Sequence, residues 1–98
     1  MKGTNVSHPI ADRFMTINEI IDDMHANLPE EDLKFLKETP EEQLIKFHFG
    51  VGMRIRNFYR LWDEANPYVI LGEPESPFHP DQVSQAAIEG LWAKLQQA

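Results

Sequence analysis

Residues 42–63 constrain the fold more than any other stretch of this sequence. Apolar side chains recur along it in steps of three and four residues, the spacing of an amphipathic helix. A second apolar line runs beside the first, so the apolar arc is wider than a surface helix needs. We therefore expect one long central helix, over residues 40–63, that is covered on two sides. The first line is Leu44, Phe47, Val51, Ile55, Phe58 and Trp62, and the second is Ile45, Phe49, Gly52, Arg56 and Tyr59.

Local signals refine this central helix. Thr39 is placed to act as the N-cap, Pro40 suits the first helical position, and Glu42 is spaced to complete a capping box. Gly50 and Gly52 would each cost about 1 kcal/mol relative to alanine in a helix interior. They predict either a local break or a close approach by another backbone, and we favour the close approach.

Three further helices are predicted, which makes the fold all-α, a small four-helix domain. Thr16 and Glu19 form a capping box that opens the first helix. Pro29 with the acids after it, and Pro80 with Asp81, are typical of helix starts. The four predicted helices cover residues 16–27, 29–38, 40–63 and 80–96.

The remaining segments are predicted to be irregular. Residues 1–15 should be a flexible N-terminal arm, which leaves residues 16–98 as a single helical domain. Residues 64–79 contain three of the seven prolines and should form a Pro-rich loop across the bundle. The only β-like run, residues 68–71, is too little for a sheet. We expect it to be extended, with pairing in a homodimer as the alternative.

Charge and composition limit the function classes. With 9 basic and 16 acidic side chains, the chain has a net charge of −7, so direct binding to nucleic acid is not expected. Ten of the acids lie within residues 12–42, as solvated helix faces or as a partner-binding surface. The sequence has no cysteine and no apolar run of membrane-spanning length, so we expect a cytoplasmic protein without membrane contact.

Catalytic motifs are missing from the sequence. There is no Gly-x-Ser-x-Gly, phosphate loop or His-Glu-x-x-His, and no cysteine nucleophile. His79 and Asp81 with the remote His48 make only a weak zinc signature. We therefore expect neither an enzyme nor a metal or other cofactor.

Arg56 is the polar residue in the most unusual position. An arginine on an apolar line is normally retained only if its guanidinium is paired. We favour a structural ion pair between helices, with anion or ligand binding, or a solvated side chain that extends outward, as the alternatives. The candidate acidic partners are Asp81, Glu89, Asp22 and Asp23. His48 borders the first apolar line and is expected to be a core histidine.

Several phrases resemble a family of small uncharacterised bacterial proteins, over residues 16–95. They read FHFGVGMRIRN at 47–57, LW at 61–62, HPD at 79–81 and LW at 91–92. At residues 58–60 this chain departs from the more glycine-containing turn of the family, which leaves the end of the central helix open. The resemblance implies no activity. It implies one constellation made of His48, Arg56, Asn57 and Asp81.

Three functional hypotheses follow. The first is a non-catalytic protein-protein interaction module whose candidate partner surface is Arg54, Asn57, Arg60 and Tyr68. The second is an acidic inhibitor, of the immunity-protein or nucleic-acid-mimic type, of a nuclease or another nucleic-acid-binding protein. The third is a small-ligand pocket around His48 and Arg56.

Overall fold

The computed structural model describes residues 13–97. The all-α prediction is confirmed. The elements are α1 (Ile17–Asn27), α2 (Glu30–Glu38), a 3₁₀ helix (Glu41–Phe47), α3 (Val51–Phe58) and α4 (Pro80–Gln96). Three of the four predicted helices are present with bounds that differ by at most one residue.

Helix α4 is the element that holds the others together. α1, α2, the 3₁₀ helix and α3 all pack against it, and they pack much less against one another. Gly90 allows the closest approach, because a Cβ atom there would collide with the side chain of Ile21 on α1. The buried side of α4 consists of Pro80, Val83, Ser84, Ala87, Ile88, Leu91 and Leu95.

The prediction of one helix over residues 40–63 is wrong. The segment divides into the 3₁₀ helix, a turn at residues 48–50, and α3. Gly50 has ψ −85°, outside the helical region, so here the glycine marks a break. After α3 the chain turns at Arg60, which has a positive φ of 61°.

The predicted start of that helix is also wrong. Thr39 is the C-cap of α2, and its hydroxyl donates to the carbonyl of Phe35 at 2.9 Å. Pro40 precedes the 3₁₀ helix without any side-chain cap. Because the helix breaks, one helical periodicity does not run through the whole segment and cannot predict which side chains are buried. Side chains expected in the core are therefore exposed: Ile45 by 64%, Phe49 by 78% and Trp62 by 47%.

The loop between α3 and α4 is ordered by buried polar contacts. The Asn66 side chain is 3% exposed, donates to the carbonyl of Arg60 and accepts from the amide of Tyr68. The amide of Ile70 donates to the carbonyl of Phe78, which draws the two sides of the loop together. Within residues 13–97 there is no strand, and no helix is long and apolar enough to cross a membrane.

The predicted N-terminal arm lies mostly outside the described residues, which begin at Arg13. Its last three residues contact the domain. Arg13 pairs with Glu19 at 3.1 Å, the ring of Phe14 lies 4.3 Å from the Arg60 guanidinium, and Met15 packs against the core.

The capping box of α1 provides a test of the local signals. The Thr16 hydroxyl accepts from the Glu19 amide, and the Glu19 carboxylate accepts from the Thr16 amide at 2.9 Å. Thr16→Ala should lower the free energy of unfolding by about 1 kcal/mol, because the Glu19 amide in the first turn of α1 loses its acceptor. Thr16→Ser keeps the hydroxyl and should stay close to wild type in urea denaturation. Equal stability of the two variants would contradict this role.

Candidate functional site

An apolar cleft lies between the walls formed by α1 with α2 and by the 3₁₀ helix with α3. Its volume is about 480 Å³. Ile88 and Leu91 of α4, each 1% exposed, form its floor. The apolar residues of its walls are Met24, Leu28, Phe35, Leu36, Phe47, Val51, Ile55 and Phe58, and its polar or amphipathic residues are Asp23, Asn27, Asp32, Arg54 and Tyr59.

The cleft follows from how the helices share α4. α1 and α3 both pack on α4 but hardly touch each other, so a space stays open between them above the α4 floor. The turn at residues 48–50 separates the 3₁₀ helix from α3, and both elements line the cleft. Residues of the first predicted core line, such as Phe47 and Val51, therefore line an opening and are half-buried.

A partly buried hydrogen bond joins the two walls. Tyr59 Oη donates to Asp23 Oδ2 at 2.6 Å, and Asn27 Nδ2 donates to Asp23 Oδ1 at 3.0 Å. Burial, and then the neighbouring Asp23 carboxylate, raises the pKa of Tyr59 well above its usual value. Both oxygens of Asp23 are thus used within the protein, and the Tyr59 phenol is held as a donor.

Aromatic contacts join the walls at a second place. The rings of Phe35 on α2 and Phe47 on the 3₁₀ helix meet edge to face, with centroids 5.9 Å apart. The ammonium of Lys46 lies 5.5 Å and 5.8 Å from the centres of these rings. Phe35 is nevertheless 57% exposed. The cleft therefore has an aromatic border that remains accessible.

Two opposite charges lie on facing sides of the cleft. Asp32 comes from the first turn of α2, and Arg54 comes from α3. Both residues are exposed, and neither side chain has a hydrogen bond or an ion pair within residues 13–97. These two charges are free to meet a bound molecule.

The Arg56 guanidinium, in contrast, is satisfied inside the protein. Its Nη1 donates to Ser84 Oγ at 2.9 Å, and its Nη2 donates to the carbonyl of His48 at 3.2 Å. Its Nε lies 3.5 Å from Asp81 Oδ1, so Asp81 is the partner among the four proposed acids. Arg56 is 5% exposed. The geometry favours the structural interpretation and gives a ligand pocket at Arg56 no support.

Gly52 makes room for this cluster. A Cβ atom there would lie 3.1 Å from Arg56 Nη1 and 3.3 Å from the carbonyl oxygen of Phe47. A close approach is therefore present at Gly52, made mainly by the Arg56 side chain and by a carbonyl of the same predicted helix, and the break is at Gly50. His48 contributes its backbone carbonyl, while its ring contacts the ring of Phe49.

The other sequence-predicted residues do not join one site. Asn57 is exposed and lies outside the Arg56 cluster. Arg60 pairs with Asp63 at 2.9 Å. Tyr68 lines a separate groove beside the start of α1. Of the four residues of the candidate partner surface, only Arg54 lines the apolar cleft.

Sequence reasoning missed two parts of the site. Ser84 has no role predicted from the sequence, although its buried hydroxyl accepts from Arg56 and donates to the carbonyl of Asp81. The cleft was missed because no local signal reports a gap between helices. In the described part of the chain, no group of histidines and acids is arranged to hold a metal ion.

Fold and site together define a small all-α domain, built on one long helix, with an accessible apolar cleft. A family model described as a domain of unknown function, DUF6794, matches residues 15–95, and the chain belongs to this family. The expectation of an uncharacterised family is thereby confirmed. Comparisons with curated proteins and with solved structures returned no match.

Removing Arg56 and removing Asp81 should have different effects on stability. Arg56→Ala should lower the free energy of unfolding by about 3 kcal/mol, because it removes a buried side chain and leaves the buried Ser84 hydroxyl and the His48 carbonyl without their donor. Asp81→Ala should cost less, about 1 kcal/mol, because the Asp81 side chain is 40% exposed and the guanidinium that remains keeps its hydrogen bonds to Ser84 and to the His48 carbonyl. Urea denaturation measures both. A larger loss for Asp81→Ala would show that the ion pair, rather than the buried guanidinium, dominates.

The Tyr59–Asp23 contact predicts an alkaline effect. Since the pKa of Tyr59 is raised in the fold, the neutral phenol stabilises the protein below the unfolded value of about 10. That stabilisation is lost as the pH rises through this value towards the folded pKa. Tyr59→Phe should cost about 1–2 kcal/mol at neutral pH, where its hydrogen bond to Asp23 is lost.

Unfolding free energies at about pH 8 and pH 11, on either side of the unfolded tyrosine pKa, measure the effect. The wild type should lose more stability over this interval than Tyr59→Phe. Equal losses would mean that the phenol titrates in the same way folded and unfolded.

Proposed function

We propose that this domain is a small non-catalytic protein-interaction module whose partner inserts apolar side chains into the cleft. The observation that carries the proposal is the accessible apolar space of about 480 Å³, within the range of roughly 300–1,000 Å³ that ligand clefts occupy. Protein interiors normally close such spaces by packing. An apolar surface left open, with exposed Phe35 at its border, is typical of an interaction site.

The polar groups of the cleft favour binding over catalysis. Asp23 accepts hydrogen bonds at both oxygens, and Asp32 and Arg54 lie at the exposed rim. The residues that line the cleft include no serine, threonine, cysteine or histidine. The Tyr59 phenol does lie beside the Asp23 carboxylate, but burial raises its pKa, so it stays a neutral hydrogen-bond donor and is a poor nucleophile. The cysteine-free sequence fits a reducing compartment, and we place the protein in the bacterial cytoplasm as part of the same proposal.

An acidic inhibitor is the second candidate. Six exposed acids near α2 and the 3₁₀ helix have no ion pair within residues 13–97: Glu30, Glu31, Asp32, Glu38, Glu41 and Glu42. Such a surface would suit the basic site of a nuclease or another nucleic-acid-binding protein. Charge-driven association weakens with salt, whereas apolar insertion does not.

Affinity capture from a lysate of the source organism distinguishes the interaction module from the acidic inhibitor. Val51→Trp fills the cleft, and Ile45→Trp is the matched control at a position that is 64% exposed and does not line the cleft. A protein retained by wild type and Ile45→Trp, lost with Val51→Trp and still bound at about 0.5 M salt would support the interaction module. Unchanged thermal unfolding of both variants is the folding control.

Other outcomes contradict the cleft proposal. A basic protein that binds Val51→Trp as well as wild type and dissociates at high salt would support the inhibitor. A protein that is captured equally well by all variants and at both salt concentrations would exclude the apolar cleft and the acidic surface as its binding site.

A further inference from the structure

We infer that the bound segment is an amphipathic α-helix with two oppositely charged edges, basic towards α2 and acidic towards α3. The inference rests on the proposed function. It adds the kind of segment that enters the cleft, and the contact that determines its direction.

The scarcity of hydrogen-bonding groups in the cleft favours a helix. Asp23 already accepts from Tyr59 and Asn27, and Asp32 and Arg54 lie at the rim. An extended segment would bring unpaired amides and carbonyls against apolar walls, at a cost for each group. A helix pairs its own backbone groups and presents only side chains. Residues 13–97 contain no strand to which an extended partner could add.

The arrangement of the walls also favours a helix. α1 and α3 lie on α4 and make few contacts with each other, so the cleft is a groove bordered and floored by helices. Amphipathic helices bind such grooves through apolar side chains at positions i, i+3, i+4 and i+7. About 480 Å³ accommodates several side chains, while the partner backbone stays above the rim.

The rim charges determine the edges of the partner. Asp32 on α2 and Arg54 on α3 have opposite signs, are exposed, and have no partner within residues 13–97. A helix in the groove therefore places a basic edge beside Asp32 and an acidic edge beside Arg54. Reversing the helix direction exchanges the two edges, so this pair of charges also selects one direction of binding.

Three synthetic helical peptides of about 18 residues, roughly 27 Å long, test the inference. They share one leucine face and differ only at the edges: lysine on one edge and glutamate on the other, lysine on both, or glutamate on both. Fluorescence anisotropy measures their Kd values. Wild type should prefer the mixed peptide, Arg54→Glu the all-lysine peptide, and Asp32→Lys the all-glutamate peptide.

For each charge reversal, the Kd of the mixed peptide divided by the Kd of the newly preferred peptide should change about fivefold relative to wild type, as expected for exposed charge pairs. The double variant, Asp32→Lys with Arg54→Glu, should again prefer the mixed peptide. Glu31→Lys, on the same turn of α2 but outside the cleft, is the matched control and should keep the wild-type order.

Val51→Trp separates the inference from the proposed function. If Val51→Trp binds all three peptides as wild type does, or if wild type binds none, the cleft is not a helix-binding site. Both the proposed use of the cleft and the inference about its partner are then contradicted. If Val51→Trp abolishes binding but Arg54→Glu and Asp32→Lys leave the order unchanged, the cleft binds helices and the charge rule alone is overturned. A small apolar molecule that binds the cleft without displacing a bound peptide would show that the peptide binds elsewhere, and would also overturn the inference.

Discussion

The packing of every other helix against α4 is the interaction on which this structure depends. α1 and α3 have 11 and 8 residues, lengths at which an isolated helix is marginal in water, so their stability comes from apolar contact with α4. α4 can receive them because its buried side is continuous and because Gly90 lets Ile21 approach closely. The same arrangement creates the cleft, since helices that share one support need not fill the space between them.

The Arg56 cluster holds the broken central segment in place. The guanidinium bonds to the carbonyl of His48, in the turn before α3, and to Ser84 on α4. Arg56 thereby gives the His48 carbonyl a hydrogen-bond donor and joins the turn at residues 48–50 to α4. Burying an arginine has a desolvation cost, but Arg56 fixes the relative position of the two elements through two hydrogen bonds and one ion pair. The position of α3, and hence of one wall of the cleft, depends on it.

Local chemistry explains what the sequence could predict. The box at Thr16 and the prolines before α2 and α4 mark helix starts through contacts within a few residues. The central helix was mispredicted because a 3₁₀ helix followed by an α-helix can produce the same apolar spacing as one continuous helix. The turn at Arg60, with φ 61°, lies where the family resemblance implies a glycine-containing turn. The pairing of Arg56 could be anticipated from its apolar surroundings, whereas the cleft depends on distances between helices that no local pattern encodes.

The most direct test of the account is whether the space between α1 and α3 is open and apolar in solution. Methyl-resolved NMR under xenon pressure measures this, because xenon enters accessible apolar cavities. The methyl signals of Val51, Ile55 and Leu91 should shift with xenon, while those of Val83, buried on α4 but outside the cleft, should change little. Cleft methyls that shift no more than Val83 would show that the walls close on each other, and would contradict the binding site proposed for this domain.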